Sequence, residues 1–319
     1  MASDPFILGT RGSDLALTQA KMTQAALEAS GIDRAVEQNI IATTGDKRQD
    51  LKLSAPNLDK AVFTKELEDA LDEKTIHAAV HSLKDVPTIL ESRFDLAAVL
   101  PRAPIEDVVI TKAQIHAENG LDSLPEGATV ATSSVRRHRQ IQERRPDLKL
   151  VEIRGNVPTR LRKVATLPEI DATILAHAGL KRLGFDLSGT ELAFEDHRLG
   201  FAILPPSVMI PAAGQGAVAI EIRTDDDESR KILSAINHEP TWHRIRVERA
   251  FLHALGAGCQ TPVGVHTELL DGGKVKVRAI VFKDVPEGET STEPPKRIEA
   301  TGDASDPESI ATDLMAQLA

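Results

Sequence analysis

TVATSSVRRHRQIQERRPDLKLVEIRGNVPTR, residues 129–160, alternates short apolar runs with polar, helix-forming stretches. Thr129–Thr132 reads as a strand and Ser134–Arg145 as a helix that Pro146 stops. Lys149–Ile153 reads as a second strand, and Pro158–Leu167 as a second helix with Asn156 or Val157 at its cap and Pro158 in its first turn. A strand–helix–strand–helix succession is the unit of an α/β fold. Ligands in such folds gather where strands end and helices begin.

The same alternation extends outward in both directions. Phe6–Gly9, Asn39–Thr43 and Ala78–His81 read as strands around helices at Asp14–Ser30 and Thr64–Glu73. Lys47–Lys60 between them reads as a surface loop. Ala172–Ala176 and Gly216–Arg223 are further strands, with Pro205–Pro211 as a crossing segment. A helix over Arg244–Leu255, strands at Val263–Leu270 and Lys274–Phe282, a solvated stretch Pro286–Lys296 and a closing helix Asp306–Leu318 complete the chain. A length of 319 residues suits two or three compact domains.

Aromatics are only 3% of the chain and Tyr is absent, so cores rest on Leu, Ile, Val and Ala and base-stacking surfaces are not expected. The formal net charge of −10 argues against a general nucleic-acid or anionic-membrane binder. No apolar run is long enough to span a bilayer, and the opening Met-Ala-Ser-Asp-Pro-Phe has the pattern of neither a secretory signal nor a transit peptide. One cysteine allows no internal disulfide and no Cys-rich metal site. A cytoplasmic setting is the expectation.

Against that acidic background, Ser133–Lys163 holds ten Lys or Arg and three Asp or Glu, a balance of +7. A charge run is commonly a solvated helix face, but these residues sit where strands end. Arg136 and Arg137 open a helix beside Thr132, Ser133 and Ser134; Arg154 ends the next strand; Arg160 lies in the helix after it. Arg11 and Ser13, after the first strand, add another helix start, and Lys181-Arg182 a further pair. Helix N-termini carrying Arg suit a ligand with several carboxylates or phosphates.

Two further motifs carry chemistry. His81-Ser82-Leu83-Lys84-Asp85-Val86-Pro87 ends a short apolar strand, where alternation turns Lys84 and Asp85 to opposite sides. It is either a surface ion pair or a carboxylate placed to stabilise a developing cation. Gly256-Ala257-Gly258-Cys259-Gln260-Thr261-Pro262-Val263-Gly264 surrounds the lone cysteine with glycines that allow a bulky group to approach its sulfur. A lone cysteine is more often a small buried hydrophobe, although an Arg-rich cleft would favour its thiolate. His77 with His81, and His238 with His243, lack the glutamate pattern of a helical zinc hydrolase, and no metal site is expected.

These residues resemble the hydroxymethylbilane synthase (porphobilinogen deaminase) family. The resemblance runs through residues 10–20 (TRGSDLALTQA), His81–Pro87, Thr132–Arg137, Arg154–Arg160, Ala178–Gly184, Pro211–Gly216 and Gly258–Gly264, in family order from about residue 8 to residue 265. It implies an α/β protein of two lobes like those of periplasmic solute-binding proteins, with mixed sheets and flanking helices. A smaller α+β C-terminal domain would carry the cysteine. The implied division is residues 1–104 with 205–223, then 105–204, then 224–319. It also implies a dipyrromethane cofactor held by thioether to Cys259, stepwise condensation of four porphobilinogen molecules with loss of ammonia, and hydrolytic release of hydroxymethylbilane.

By the same correspondence Asp85 is the catalytic aspartate. Cys259, Lys84, Asp85, Ser134, Arg136, Arg137, Arg154 and Gly155 hold the cofactor, and Arg11, Ser13, Arg154, Arg160 and Arg182 the substrate. The partners implied are porphobilinogen and the growing polypyrrole chain, with a monomeric protein and no nucleic acid or membrane. In one place the chain departs from the family: a Gly-Lys-Gly-x-Phe stretch reads Asp59-Lys60-Ala61-Val62-Phe63. Lys60 and Phe63 keep a lid role in place, while the loss of two glycines predicts a stiffer segment and altered turnover. Two readings outside the family remain open on the residues alone: a two-lobed binding protein for a polyanion, and a hydrolase using Cys259 as nucleophile.

Overall fold

The computed structural model describes residues 4–44, 64–112, 117–257, 261–284 and 293–319. The expectations for the loop 47–60, for Lys60 and Phe63, for Cys259 and for most of 286–296 lie outside these residues. Three sheets organise the chain.

The first sheet has the order β2-β1-β3-β11-β4, from β1 (Phe6–Thr10), β2 (Val36–Ile40), β3 (Ala78–Ser82), β4 (Phe94–Val99) and β11 (Val218–Arg223). β1 runs parallel to β2 and β3, while β11 is antiparallel to β3 and β4. Phe6, Leu8, Val80, Ile220 and Ile222 pack on one face with Leu27 of helix α1 (Asp14–Ala29) and Leu233 of α6 (Asp227–Ser234). Ala79 and Phe94 meet Leu67 and Leu71 of α2 (Lys65–Asp72) in a separate cluster.

The second sheet has the order β7-β6-β8-β5-β10-β9. Its members are β5 (Asp107–Thr111), β6 (Thr129–Ala131), β7 (Lys149–Val151), β8 (Ala172–Ala176), β9 (Glu191–Phe194) and β10 (His197–Leu204). β5 is buried along its whole length, with helices on both faces. Val108 and Ile110 pack toward Leu161 of α4 (Val157–Thr166) and Leu180 of α5 (His177–Arg182); Val109 packs toward Ile141 of α3 (Val135–Arg144). The sheet is mixed: β7, β6 and β8 are parallel, so their carboxyl ends share an edge, while β5 and β10 are antiparallel to their neighbours.

The third sheet is a meander of β12 (Val263–Leu269), β13 (Lys274–Val281) and β14 (Lys296–Asp303). It is covered by α7 (Glu239–Ala254) and α8 (Pro307–Ala316), with Phe251, Val265, Val277 and Leu314 in its core. Buried polar groups join it to the first sheet. Arg102 makes a two-pronged contact with Glu248 of α7 at 2.6 and 2.9 Å. The same carboxylate accepts from Gly214 N at 2.7 Å and from Thr267 Oγ1 at 2.5 Å.

Several elements differ from the reading of the sequence. α7 begins five residues earlier than expected, because His238 caps it and Pro240 sits in its first turn. β2 is shifted toward the N-terminus and exposes Glu37, Asn39 and Ile40, as an edge strand with little apolar alternation. β14 begins at Lys296, where only a solvated stretch was expected. Lys84 and Asp85 lie in a 3-10 turn, Leu83–Asp85, so strand alternation does not set their directions.

Candidate active site

The candidate site forms where parallel strands of the first two sheets run out into helices. Ser13 caps α1, its Oγ accepting from Ala16 N at 3.3 Å. Ser134 caps α3, accepting from Arg137 N at 3.4 Å. Asn156 caps α4, accepting from Thr159 N at 3.0 Å and Thr159 Oγ1 at 2.7 Å. In each case an extended residue with a short polar side chain turns strand into helix and satisfies one free N–H. Arg11, Arg136, Arg137, Arg154 and Arg160 are thereby carried on or beside helix starts. The two lobes meet near them: a Cβ on Gly179 of α5 would lie 3.8 Å from Leu15 of α1.

Asp107, at the start of β5, is the residue the sequence reading missed. Its carboxylate has no exposure and accepts from Arg136 Nη1 at 2.7 Å, Arg137 Nη2 at 2.7 Å and Gln215 Nε2 at 3.0 Å. Arg136 also reaches Ile210 O at 2.8 Å, and Arg137 reaches Ile174 O at 2.8 Å. Burial would raise the Asp107 carboxyl, but the charges and hydrogen bonds of Arg136 and Arg137 hold it well below the usual carboxylate range. Both arginines are 6% exposed. They are fixed side chains, with one buried acid between two guanidinium groups. The clue in the sequence was available: an acid opening the apolar run Val108-Val109-Ile110 in a chain that carries adjacent arginines without a nearby counter-charge.

Lys84 and Asp85 face this cluster from the other lobe. The Leu83–Asp85 turn is held by Leu83 N donating to Ala217 O at 3.1 Å and by Gln19 Nε2 donating to Ser82 Oγ at 2.7 Å. Burial pushes the Lys84 ammonium down to about 8; Asp85 opposes this, Arg137 adds to it, Asp107 opposes and Arg136 adds. Arg160 is brought down to about 10 by burial and Arg137, with Asp85 opposing and Arg154 adding. Lys84, Asp85, Arg136, Arg137, Arg154 and Arg160 therefore lie within one electrostatic neighbourhood. Arg154 lies 3.5 Å from Glu152, and Arg160 Nε donates to Gly155 O at 2.8 Å.

Arg182 is more remote in its bonding. Burial alone lowers it to about 10, and its Nη2 donates to Gly216 O at 2.7 Å, in the segment joining the lobes. Arg11 and Ser13 stand in the turn after β1, both half-buried. Chemically, the cluster can bind several carboxylates through partly desolvated cations, and it presents one carboxylate, Asp85, to a cation or N–H donor. Among the described residues, no group of three or more His, Cys, Asp or Glu is placed to hold a metal. His77 Nδ1 accepts from Ile7 N at 2.9 Å and His81 pairs with Glu221, so the two histidines are engaged separately. No helix among the described residues is long and apolar enough to cross a membrane.

Comparison with known proteins gives matches over nearly the whole chain. Residues 6–231 match the family model described as porphobilinogen deaminase, dipyromethane cofactor binding domain. Residues 242–319 match that described as porphobilinogen deaminase, C-terminal domain. A porphobilinogen deaminase of Syntrophomonas wolfei is 43% identical over 92% of this chain and 91% of its own. One of Thermus thermophilus is 38% identical over 97% of this chain and 93% of its own. Among solved structures, the open substrate-binding domain 2 of Lactococcus lactis GlnP aligns with 80% of this chain and 91% of its own, at 10% identity and a TM-score of 0.43.

Proposed function

The chain belongs to the porphobilinogen deaminase family, and from that premise we propose that the cluster around Asp85 is where its chemistry takes place. The family activity is that of hydroxymethylbilane synthase. Four porphobilinogen molecules are condensed stepwise onto a dipyrromethane cofactor with release of ammonia, and hydrolysis frees the linear tetrapyrrole. The site assignments that follow are ours.

The residues present fit a cofactor of this kind. Each pyrrole bears an acetate and a propionate, and the site offers Lys84, Arg136, Arg137, Arg154, Arg160 and Arg182. Arg136 Nε and Arg182 Nε are buried without a hydrogen-bond partner, so donors remain for acids that the protein itself does not supply. Lys84, Ser134, Arg136, Arg137, Arg154 and the Gly155 turn would hold the cofactor, with Cys259 as its thioether anchor. Arg11, Ser13, Arg154, Arg160 and Arg182 would hold the incoming and growing chain. When bound, the dipyrromethane supplies the terminal pyrrole carbon to which the first substrate unit is joined.

Asp85 has the central role. Its carboxylate orients substrate N–H groups and stabilises the cation left on the substrate when ammonia departs, and it can carry a proton away from the new carbon–carbon bond. The desolvated cations around it keep the substrate's own carboxylates at the edge of the site. The observation that carries this reading is the cluster itself: Arg136 and Arg137, each 2.7 Å from the buried Asp107 carboxylate, share one electrostatic neighbourhood with Lys84, Asp85 and Arg160.

Residues 1–104 with 205–223, 105–204 and 224–319 serve in this proposal as three units, in keeping with the three sheets. A monomeric, cytoplasmic protein belongs to the same proposal, as does the absence of a nucleic-acid partner, which the net charge of −10 supports. The test is turnover of porphobilinogen, followed by ammonia release and hydroxymethylbilane formation, with Asp85→Asn beside wild type. The expected loss in kcat is about 100-fold or more. Wild-type rates in Asp85→Asn would remove Asp85 from the chemistry, and no product from wild type would remove the function.

A further inference from the structure

Glu221, on β11, is fully buried beside β3. Its Oε2 lies 2.8 Å from His81 Nε2, and His81 is itself only 6% exposed. Its Oε1 is buried without a hydrogen-bond partner. Nothing in the chemistry assigned to the cleft uses either residue.

His81 stands four residues before Asp85. Arg249 of α7 grips the chain on the other side of the turn, donating from Nη2 to Pro87 O and Thr88 O, both at 2.9 Å. Burial lowers the Arg249 guanidinium, and the charges of Glu221 and then Asp95 oppose this. The neighbouring acid is Glu68 of α2. Burial pushes its carboxyl up, and Glu221 raises it further while His81 opposes.

We propose that Glu221 is a positioning residue for Asp85: its buried carboxylate, 2.8 Å from His81 Nε2, fixes the strand end that leads into the Leu83–Asp85 turn, while Arg249 holds the chain just beyond the turn. The proposal rests on the reading of Asp85 as the reacting carboxylate. It also ties the segment after Asp85 to α7 through Arg249. Small displacements of a reacting group can cost as much as about 100-fold in rate, so the clamp should act on kcat rather than on substrate affinity.

Glu221→Gln keeps the shape and a hydrogen bond to His81 while removing the charge. It is expected to lower kcat about tenfold, with KM for porphobilinogen within about threefold and the cofactor mass retained. A cycle with Asp85→Glu separates positioning from general loosening. If Glu221 acts through Asp85, the double variant is no slower than Asp85→Glu alone; multiplied losses would overturn the proposal. A second pair of variants covers the case in which Glu221→Gln does not fold. His81→Gln places an amide nitrogen near the Nε2 position and keeps most of kcat, whereas His81→Asn falls short and loses it. Equal loss in both would overturn the clamp. An unchanged Asp85→Glu removes the premise, and is distinct from a failed clamp, in which Asp85→Glu is slow and Glu221→Gln is not.

Discussion

Replacing Asp107 by Asn leaves two buried arginines facing an amide. The wild-type carboxylate has no exposure and accepts from Arg136 Nη1, Arg137 Nη2, Arg137 Nε and Gln215 Nε2 at 2.7, 2.7, 3.2 and 3.0 Å. Asn matches its volume but retains only one acceptor oxygen, and its amide N–H groups would oppose a guanidinium. Removing one partner of a buried ion pair costs about 3–5 kcal/mol, because the remaining charge stays desolvated. At about 2–4 °C per kcal/mol for a sizeable domain, the cofactor-free chain should lose on the order of 6–20 °C in thermal midpoint. A ligand rich in carboxylates supplies the missing anion, so the gap between cofactor-bound and cofactor-free midpoints should widen in the variant. Asp107 is held well below the ordinary aspartate value of 3.8, so its stabilisation is complete above that pH and is lost only as pH falls toward the folded-state value. The difference between wild type and variant should therefore be flat from about pH 5 to 8. Circular-dichroism melts of both forms across that range test the whole argument. A cofactor-free variant melting within about 2 °C of wild type would refute the assignment of Asp107 as the counter-charge of the two arginines.

Other perturbations have equally definite outcomes. Lys84 has a folded-state value near 8 against 10.5 when exposed, so below pH 8 its buried ammonium opposes folding by on the order of 3 kcal/mol. Lys84→Met should stabilise the cofactor-free chain, and wild type should recover stability relative to it as pH rises from 8 toward 10.5; urea titrations at each pH would show a pH-independent difference if Lys84 is not desolvated. Gly155 has φ +112°, and a Cβ there would lie 2.5 Å from Thr159 Cγ2, so Gly155→Ala should cost about 1–3 kcal/mol and displace Arg154; mass spectrometry should show poorer cofactor retention, and unchanged retention and melting would contradict this. At Gly216, φ is +84° and a Cβ would lie 2.5 Å from Ala103 O, a backbone atom. Gly216→Ala should lower the thermal midpoint and also weaken substrate binding, since Gly216 O holds Arg182; a normal KM in this variant would separate Arg182 from the joint.

Much of the fold was legible where local signals agree. The caps Ser13, Ser134 and Asn156 each follow a short apolar run, and the structure places helices where those signals put them. Legibility failed where the signal was not local. β5 owes its place to neighbours on both sides and has no alternation to betray it, since all five residues are buried. α7 starts with a histidine cap and a proline, a combination that resembles a break more than a beginning. Within the candidate site, the basic residues announce themselves by density, but their counter-charges do not. Asp107, Glu221 and Glu248 are single acids spread over the chain, and only the packing of strands and helices brings them to Arg137, His81 and Arg102. Reading Lys84 and Asp85 as strand residues pointing apart failed for a related reason: the turn that carries them is set by a long-range bond from Leu83 N to Ala217 O.

The central proposal is that this chain builds its product on a dipyrromethane tethered to Cys259, with Asp85 as the reacting carboxylate. Intact-protein mass spectrometry of freshly purified wild type beside Cys259→Ala tests it most directly. The account predicts a mass excess of two linked pyrrole units in wild type alone, and a ladder of further pyrrole additions when porphobilinogen is supplied. An unmodified wild type that porphobilinogen leaves unchanged would contradict it.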